Sequence, residues 1–267
     1  MDSKLRTPVR NGFEPCLPDR QAFPTELRSL WERDPKLTTL SLSLDEVLSQ
    51  VQSYTPRKVL FWGEDAGEIS SYVAGWMAGK GIEVIVLDGA NRFNAYTVSS
   101  FAKRTLISPE KLLKSIRIAR AFTCYQMATL MGEQLISLLK REEATKLLQR
   151  PWVILLGPLT TFLDEDVPER EVRPLFERAL RKIEGIALGG VPFFLFQSPV
   201  FSGNSLFPPF SKRRMGGFSD SKRVYLLRRL FQFSNEAWRI DLEEEGPKMI
   251  LIKEVAELQI ARSQIAD

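Results

Sequence analysis

The chain contains no histidine. That removes Ser-His-Asp and Cys-His catalysis, His-ligated metals and the commonest general base in one step. Cysteine is scarce: Cys16 and Cys124 stand far apart with no C-x-x-C pair. Zinc ribbons and thioredoxin-like redox chemistry are therefore excluded, and a reducing compartment is the simplest setting. Long apolar runs are missing too. No stretch approaches the roughly 20 apolar residues of a membrane span, and residues 1–8 hold no apolar core of signal-peptide length. The expectation is a soluble, cytoplasmic protein that meets no membrane. Charge of one sign is also lacking in bulk, since 37 basic and 33 acidic residues leave only +4, which by itself implies no partner.

What is present is ordinary globular material. With 44% hydrophobic and 26% charged residues the chain is not disordered throughout, and 267 residues suit one large α/β domain with an arm. Residues 1–55 read as that arm with short helices over 24–33 and 43–53. Four prolines fall in residues 1–25, and Ser43 stands as N-cap before the apolar face Leu44, Val47, Leu48 and Val51. Residues 56–267 read as the core domain. Runs at 58–62, 83–87, 115–122, 152–156 and 191–197 are short and rich in Val, Ile, Leu and Phe, and those that are apolar throughout read as strands buried on both faces of a parallel sheet. Helical patterns lie between them at 70–79, 94–104, 109–114, 125–148 and 168–185; Ser108-Pro109-Glu110 is a good helix start, with Ser108 as the cap. Residues 224–233, 237–242 and 248–255 read as an antiparallel meander closing one edge. The expected fold is a doubly wound, mostly parallel sheet with helices on both faces and an antiparallel C-terminal edge.

Two segments carry candidate chemistry. Val59 to Ser70 runs from an apolar strand through a Gly-containing turn into a helix, the setting of a phosphate-binding loop. A working loop reads G-x-x-x-x-G-K-[ST]. Counted from Gly63, Glu68 takes the second Gly position, Ile69 the Lys, and only Ser70 survives; counted from Gly67, Glu68 takes the Lys position. Gly63, Gly67 and Ser70 are thus the candidate remnant of a nucleotide site. The second segment, 198–230, is loop-like, Gly-rich and basic, with Lys212, Arg213, Arg214, Lys222 and Arg223 interleaved with Phe207, Phe210 and Phe218. Cations for phosphates and rings for stacking suit single-stranded nucleic acid. The plainer reading of Arg223, Arg228 and Arg229 is that of solvent-facing edge-strand residues.

Residues 84–127 resemble the archaeal and eukaryotic branch of the RecA-type strand-exchange recombinases. Val84 to Phe93 is similar to that branch's hydrophobic run followed by D-T-E-G-T-F. Leu106 to Gln126 looks like its L-x-P-E-x-V-L-x-N-I-x-x-A-R-A-F-x-x-x-x-Q stretch, and Gln197 falls on the Gln of its N-Q-V element. The resemblance implies a RecA-like core, with the basic segment in the place of a mobile DNA-binding loop. It also shows what is missing. Ala90 stands at the water-activating acid, Gly157 at the Mg²⁺-associated Asp, and Ile69 or Glu68 at the phosphate-loop Lys. Phosphoryl transfer depends on positioning and charge neutralisation, so a non-enzyme without ATP, Mg²⁺ or other metal is expected. The function implied is a non-catalytic accessory protein of DNA repair or recombination, binding single-stranded DNA, a catalytically active recombinase, or both, with possible self-association. The alternatives are a pseudo-ATPase scaffold that binds only protein, and an unconventional ATPase using displaced acids such as Asp88, Asp164, Glu165 or Asp166.

Overall fold

The computed structural model describes residues 41–52, 58–63, 65–144, 150–164, 166–198, 223–243 and 246–254. The expected Pro-rich arm and the helix over 24–33 lie outside these residues. In chain order the first elements are β1 (Ser41–Ser43), α1 (Leu44–Gln52), β2 (Lys58–Trp62), α2 (Ala66–Gly79) and β3 (Val84–Asp88). Then follow α3 (Ala95–Arg104), α4 (Pro109–Lys114), β4 (Ile116–Arg120) and α5 (Cys124–Thr129). A π-helical segment (Leu130–Gln134) joins α5 to α6 (Leu135–Ala144), and β5 (Trp152–Leu156) leads through a 3₁₀ turn (Thr160–Leu163) into α7 (Glu169–Leu188). The chain continues with β6 (Phe193–Gln197), α8 (Val224–Phe233), β7 (Glu236–Glu243) and β8 (Gly246–Glu254).

The strands form one eight-stranded sheet in the order β1-β8-β7-β2-β6-β5-β3-β4. All pairs from β7 to β4 are parallel, whereas β7–β8 and β8–β1 are antiparallel. The α/β class, the mostly parallel sheet and the antiparallel edge all stand as expected. Every residue of β2, β3 and β6 is buried, because helices cover both faces. Successive side chains point to opposite faces, which splits the core in two. Val59, Phe61, Val86 and Phe196 pack with α1 to α4, whereas Leu60, Trp62, Leu87 and Leu195 pack with α5 to α8. Aromatic stacking reinforces the first face, with Phe61 and Phe196 ring centres 4.8 Å apart and Trp152 and Phe194 5.0 Å apart.

Helix starts follow local chemistry. Ser43 and Glu46 form a reciprocal capping box at α1: the Glu46 amide donates to Ser43 Oγ at 3.3 Å and the Ser43 amide donates to Glu46 Oε2 at 2.7 Å. At α4 the expected Ser108 cap makes no side-chain hydrogen bond, and Pro109 at the first helical position sets the start.

Three expectations are corrected. Residues 224–233 form helix α8 and not a strand. Leu226, Leu227, Leu230 and Phe231 are buried at helical spacing, while Arg229 reaches Glu177 of α7 at 3.0 Å. The antiparallel edge is therefore the β7–β8 hairpin plus β1, a three-residue strand that the sequence did not announce. The pattern over 125–148 is interrupted by the π segment, where Gly132 permits close approach: a Cβ there would lie 2.6 Å from Lys182 Cδ on α7.

Candidate functional site

In an open α/β sheet, ligands bind outside the carboxyl ends of the strands where successive connections leave in opposite directions. Here that point lies between β2 and β6. The chain leaves β2 through α2 on one face and β6 towards α8 on the other. Gly63 and Gln197 end these strands, and the Gly63 amide donates to the Gln197 carbonyl at 3.2 Å. Gly63, Gly67 and Ser70 lie at this junction, and each has a packing role. A Cβ on Gly63 would fall 2.6 Å from Ile240 Cβ of β7, and one on Gly67 2.9 Å from Arg92 Cβ. Ser70 is fully buried and its hydroxyl donates to the Gly67 carbonyl at 2.7 Å. The turn is short, with β2 ending at Trp62 and α2 opening at Ala66 behind Asp65, a left-handed residue with φ 35°. The loop after β3 lies against this first helical turn, since the Asn94 amide donates to Ser71 Oγ at 2.9 Å.

The neighbouring strand ends are closed in the same way. Asp88, fully buried at the end of β3, accepts from the Phe93 amide at 3.0 Å and the Arg92 amide at 3.2 Å, with Arg120 Nε 3.6 Å away. Its carboxylate shapes the 89–94 loop. Gln197 Oε1 accepts from the Leu159 amide at 3.0 Å and its Nε2 donates to the Ser198 carbonyl at 3.0 Å, so that side chain is satisfied too. Ala90 and Gly157, the two places where the resemblance expects acids, meet each other. Gly157 has φ +61°, and a Cβ on it would lie 2.5 Å from Ala90 Cβ and 2.6 Å from Thr160 Oγ1. A carboxylate side chain at 157 would have neither the backbone conformation nor the space. Among the described residues no group of three or more His, Cys, Asp or Glu is placed to hold a metal.

The chain matches no protein-family model and no curated protein.

The open region lies at the other end of the sheet. Among the described residues β4 pairs on one side only, with β3. Its outer edge carries Ile118 at 42% exposure. Beside it lies a cavity of about 540 Å³, between β3, β4 and the π segment. Ile85, Leu87, Ala119, Leu130 and Leu138 form its apolar wall, and Arg117, Glu133, Gln134 and Arg141 its polar rim. The π segment helps to shape this mouth, because Lys182 of α7 crosses Gly132 and holds Glu133 at 3.2 Å. At the carboxyl end of β4, Tyr125 donates to Glu171 at 2.6 Å, an acceptor that raises the phenol pKa, and burial raises the Cys124 thiol.

Of the expected DNA-binding residues, Phe210, Lys212, Arg213, Arg214, Phe218 and Lys222 lie outside the described residues. Arg223 is described and is held by the protein's own backbone. Its guanidinium donates to the carbonyls of Phe162 at 2.9 Å, Asp164, and Val167 at 2.7 Å, stapling the 3₁₀ turn and the approach to α7 against the start of α8. Three carbonyl acceptors hold this cation on the protein. The β4 edge and its cavity were missed by the sequence reading. Their signal was there in Ile116-Arg-Ile-Ala-Arg120, an alternating strand, unlike the wholly apolar central ones.

Proposed function

We propose that the protein is a non-catalytic RecA-like accessory factor of DNA repair or recombination, which binds a catalytically active recombinase and single-stranded DNA. The observation that carries this reading is the contrast between filled strand ends and an open edge. Where phosphoryl transfer would need a cation and two acids, Ile69 and Glu68 stand in α2, and Ala90 packs against Gly157, where a Cβ would have no room. Where a partner's extended segment would add, β4 pairs on one side only among the described residues, beside a cavity of about 540 Å³ that suits an apolar side chain. The stretch that resembles the recombinases, Leu106 to Gln126, builds α4, β4 and the start of α5. The borrowed sequence therefore sits at the open edge, not at a reaction centre.

The test is calorimetric titration of the protein with the active recombinase of the same organism, in parallel with Ala119→Trp. Ala119 lines the cavity, and the indole fills it. Binding by the parent, weakened at least tenfold in the variant and indifferent to ATP, supports the reading; equal binding by both overturns it. A second reading, the protein-only scaffold, is favoured by the carbonyls around Arg223 and predicts no single-stranded DNA binding even at low salt. The third, an unconventional ATPase, predicts thermal stabilisation by ATP with Mg²⁺. The full burial of Asp88, with its carboxylate occupied by two amides, speaks against that acid.

A further inference from the structure

Residues 91–120 hold seven basic side chains and one acid, Glu110. All seven are exposed. Arg92 lies in the loop after β3, Lys103 and Arg104 end α3, Lys111 and Lys114 belong to α4, and Arg117 and Arg120 to β4. These elements are contiguous, since α3 packs on α4 and α4 on β4. Two acids from β3 and its approach enter the surface: Glu83 lies 3.5 Å from Arg117, and Asp88 3.6 Å from Arg120. Glu68 of α2 also reaches α3, accepting from Thr97 Oγ1 at 3.3 Å, and against these four carboxylates the seven basic side chains leave an excess of cations. Asp88 is fully buried beneath it, so that acid positions Arg120 while presenting no charge of its own to solvent. Arg120 also donates to the Phe93 carbonyl at 3.5 Å, which ties the end of β4 to the loop leading into α3. At that end two rings stand in solvent, Tyr96 at 85% and Phe122 at 67% exposure.

We propose that this α3–α4–β4 surface is a binding face for single-stranded DNA. The proposal rests on the nucleic-acid half of the function proposed above and gives it a site other than the basic loop. Cations on three adjacent elements follow β4. At about 3.3 Å per residue, the path from Lys114 to Phe122 covers roughly 25 Å, long enough for several successive phosphates. Phosphates take the lysines and arginines; unstacked bases take Tyr96 and Phe122, which a closed duplex leaves without partners. An acidic protein segment would use the cations but would not need both rings.

The experiment is fluorescence anisotropy of labelled oligothymidine across a salt series, with the parent, with K103Q/K111Q/K114Q, and with Y96A and F122A. Circular dichroism melts accompany each variant to show that it folds. The triple variant is expected to bind at least about tenfold more weakly, with the log–log salt slope reduced by about 2, because three phosphate contacts are lost. Each ring variant is expected to bind about tenfold more weakly at an unchanged slope. A folded triple variant with the affinity and slope of the parent overturns the face. If K212Q/R213Q/R214Q abolishes binding in that case, DNA binding survives and only its location is wrong. No parental binding at low salt overturns the nucleic-acid reading itself. Duplex competing as well as single strands, or an oligouridine binding more tightly than oligothymidine, overturns the assignment to single-stranded DNA.

Discussion

The carboxyl ends of β2, β3, β5 and β6 and the outer edge of β4, which pairs with β3 alone among the described residues, belong to the same sheet and meet solvent on opposite terms. At the strand ends the polar groups are satisfied from within. Asp88 is held by two backbone amides, Gln197 by the Leu159 amide and the Ser198 carbonyl, and Ser70 by the Gly67 carbonyl. At the β4 edge the polar groups face outwards, and an apolar cavity lies beside them. Buried polar groups need partners, and at the strand ends the protein supplies them itself. An edge strand tolerates unpaired backbone in water, and charge on it discourages unwanted pairing. One sheet can therefore satisfy its polar groups internally at the strand ends and present them to solvent at an edge without altering its topology.

That comparison can be broken most forcefully at the closed end. Gly157→Asp restores the acid that the resemblance expects, and it should destabilise the protein by about 3 kcal/mol or more. It forces a side chain into a left-handed conformation and against Ala90 and Thr160. Urea unfolding measures this, and unchanged stability would show that the strand ends retain room for a ligand. Next, Asp88→Ala should cost about 2–3 kcal/mol by leaving two amides beneath the 89–94 loop without their acceptor. Arg120→Ala, removing only the half-exposed partner, should cost less than about 1 kcal/mol. Equal losses in the two variants would mean that the ion pair, and not the amides, holds the loop.

The smallest effect concerns Cys124, at the boundary of the two regions. Burial raises its thiol above the ordinary value of 9.0. As pH rises, the unfolded chain loses this proton first, so the stabilisation is complete below pH 9 and declines as pH climbs through the raised folded value. Tyr72 and Tyr225, raised by burial, act in the same direction from 10.0 upwards. Melting temperatures between pH 8 and 10 should fall less steeply for Cys124→Ala than for the parent. Parallel curves would place the thiol in water.

Much of the sheet was legible because a strand buried on both faces needs apolar residues at every position; β2, β3, β5 and β6 fall where their apolar runs predict. Helix α8 was not. Its run of Leu, Arg and Phe satisfies a short strand as well as a helix, and the choice falls to α7, which offers Glu177 to Arg229 and an apolar surface to Leu226 and Leu230. Strand β1, three residues long, owes its existence to the free edge of β8. The loss of acids at 90 and 157 could be read directly. That the two positions touch could not, since they lie 67 residues apart in sequence and are joined only where β3 and β5 pair.

The sequence by itself determined the α/β class, the placement of the buried strands, the absence of histidine and the absence of lysine from the turn after β2. Those properties depend on residue type and local spacing, which a linear pattern carries. Only the tertiary structure decided that Arg223 staples a turn, that Gly157 excludes a side chain, and that β4, paired on one side only among the described residues, lies beside a cavity while α3, α4 and β4 bring basic side chains onto adjoining elements. Each of these is a matter of which distant atoms arrive within a few ångströms, and strand order sets those distances.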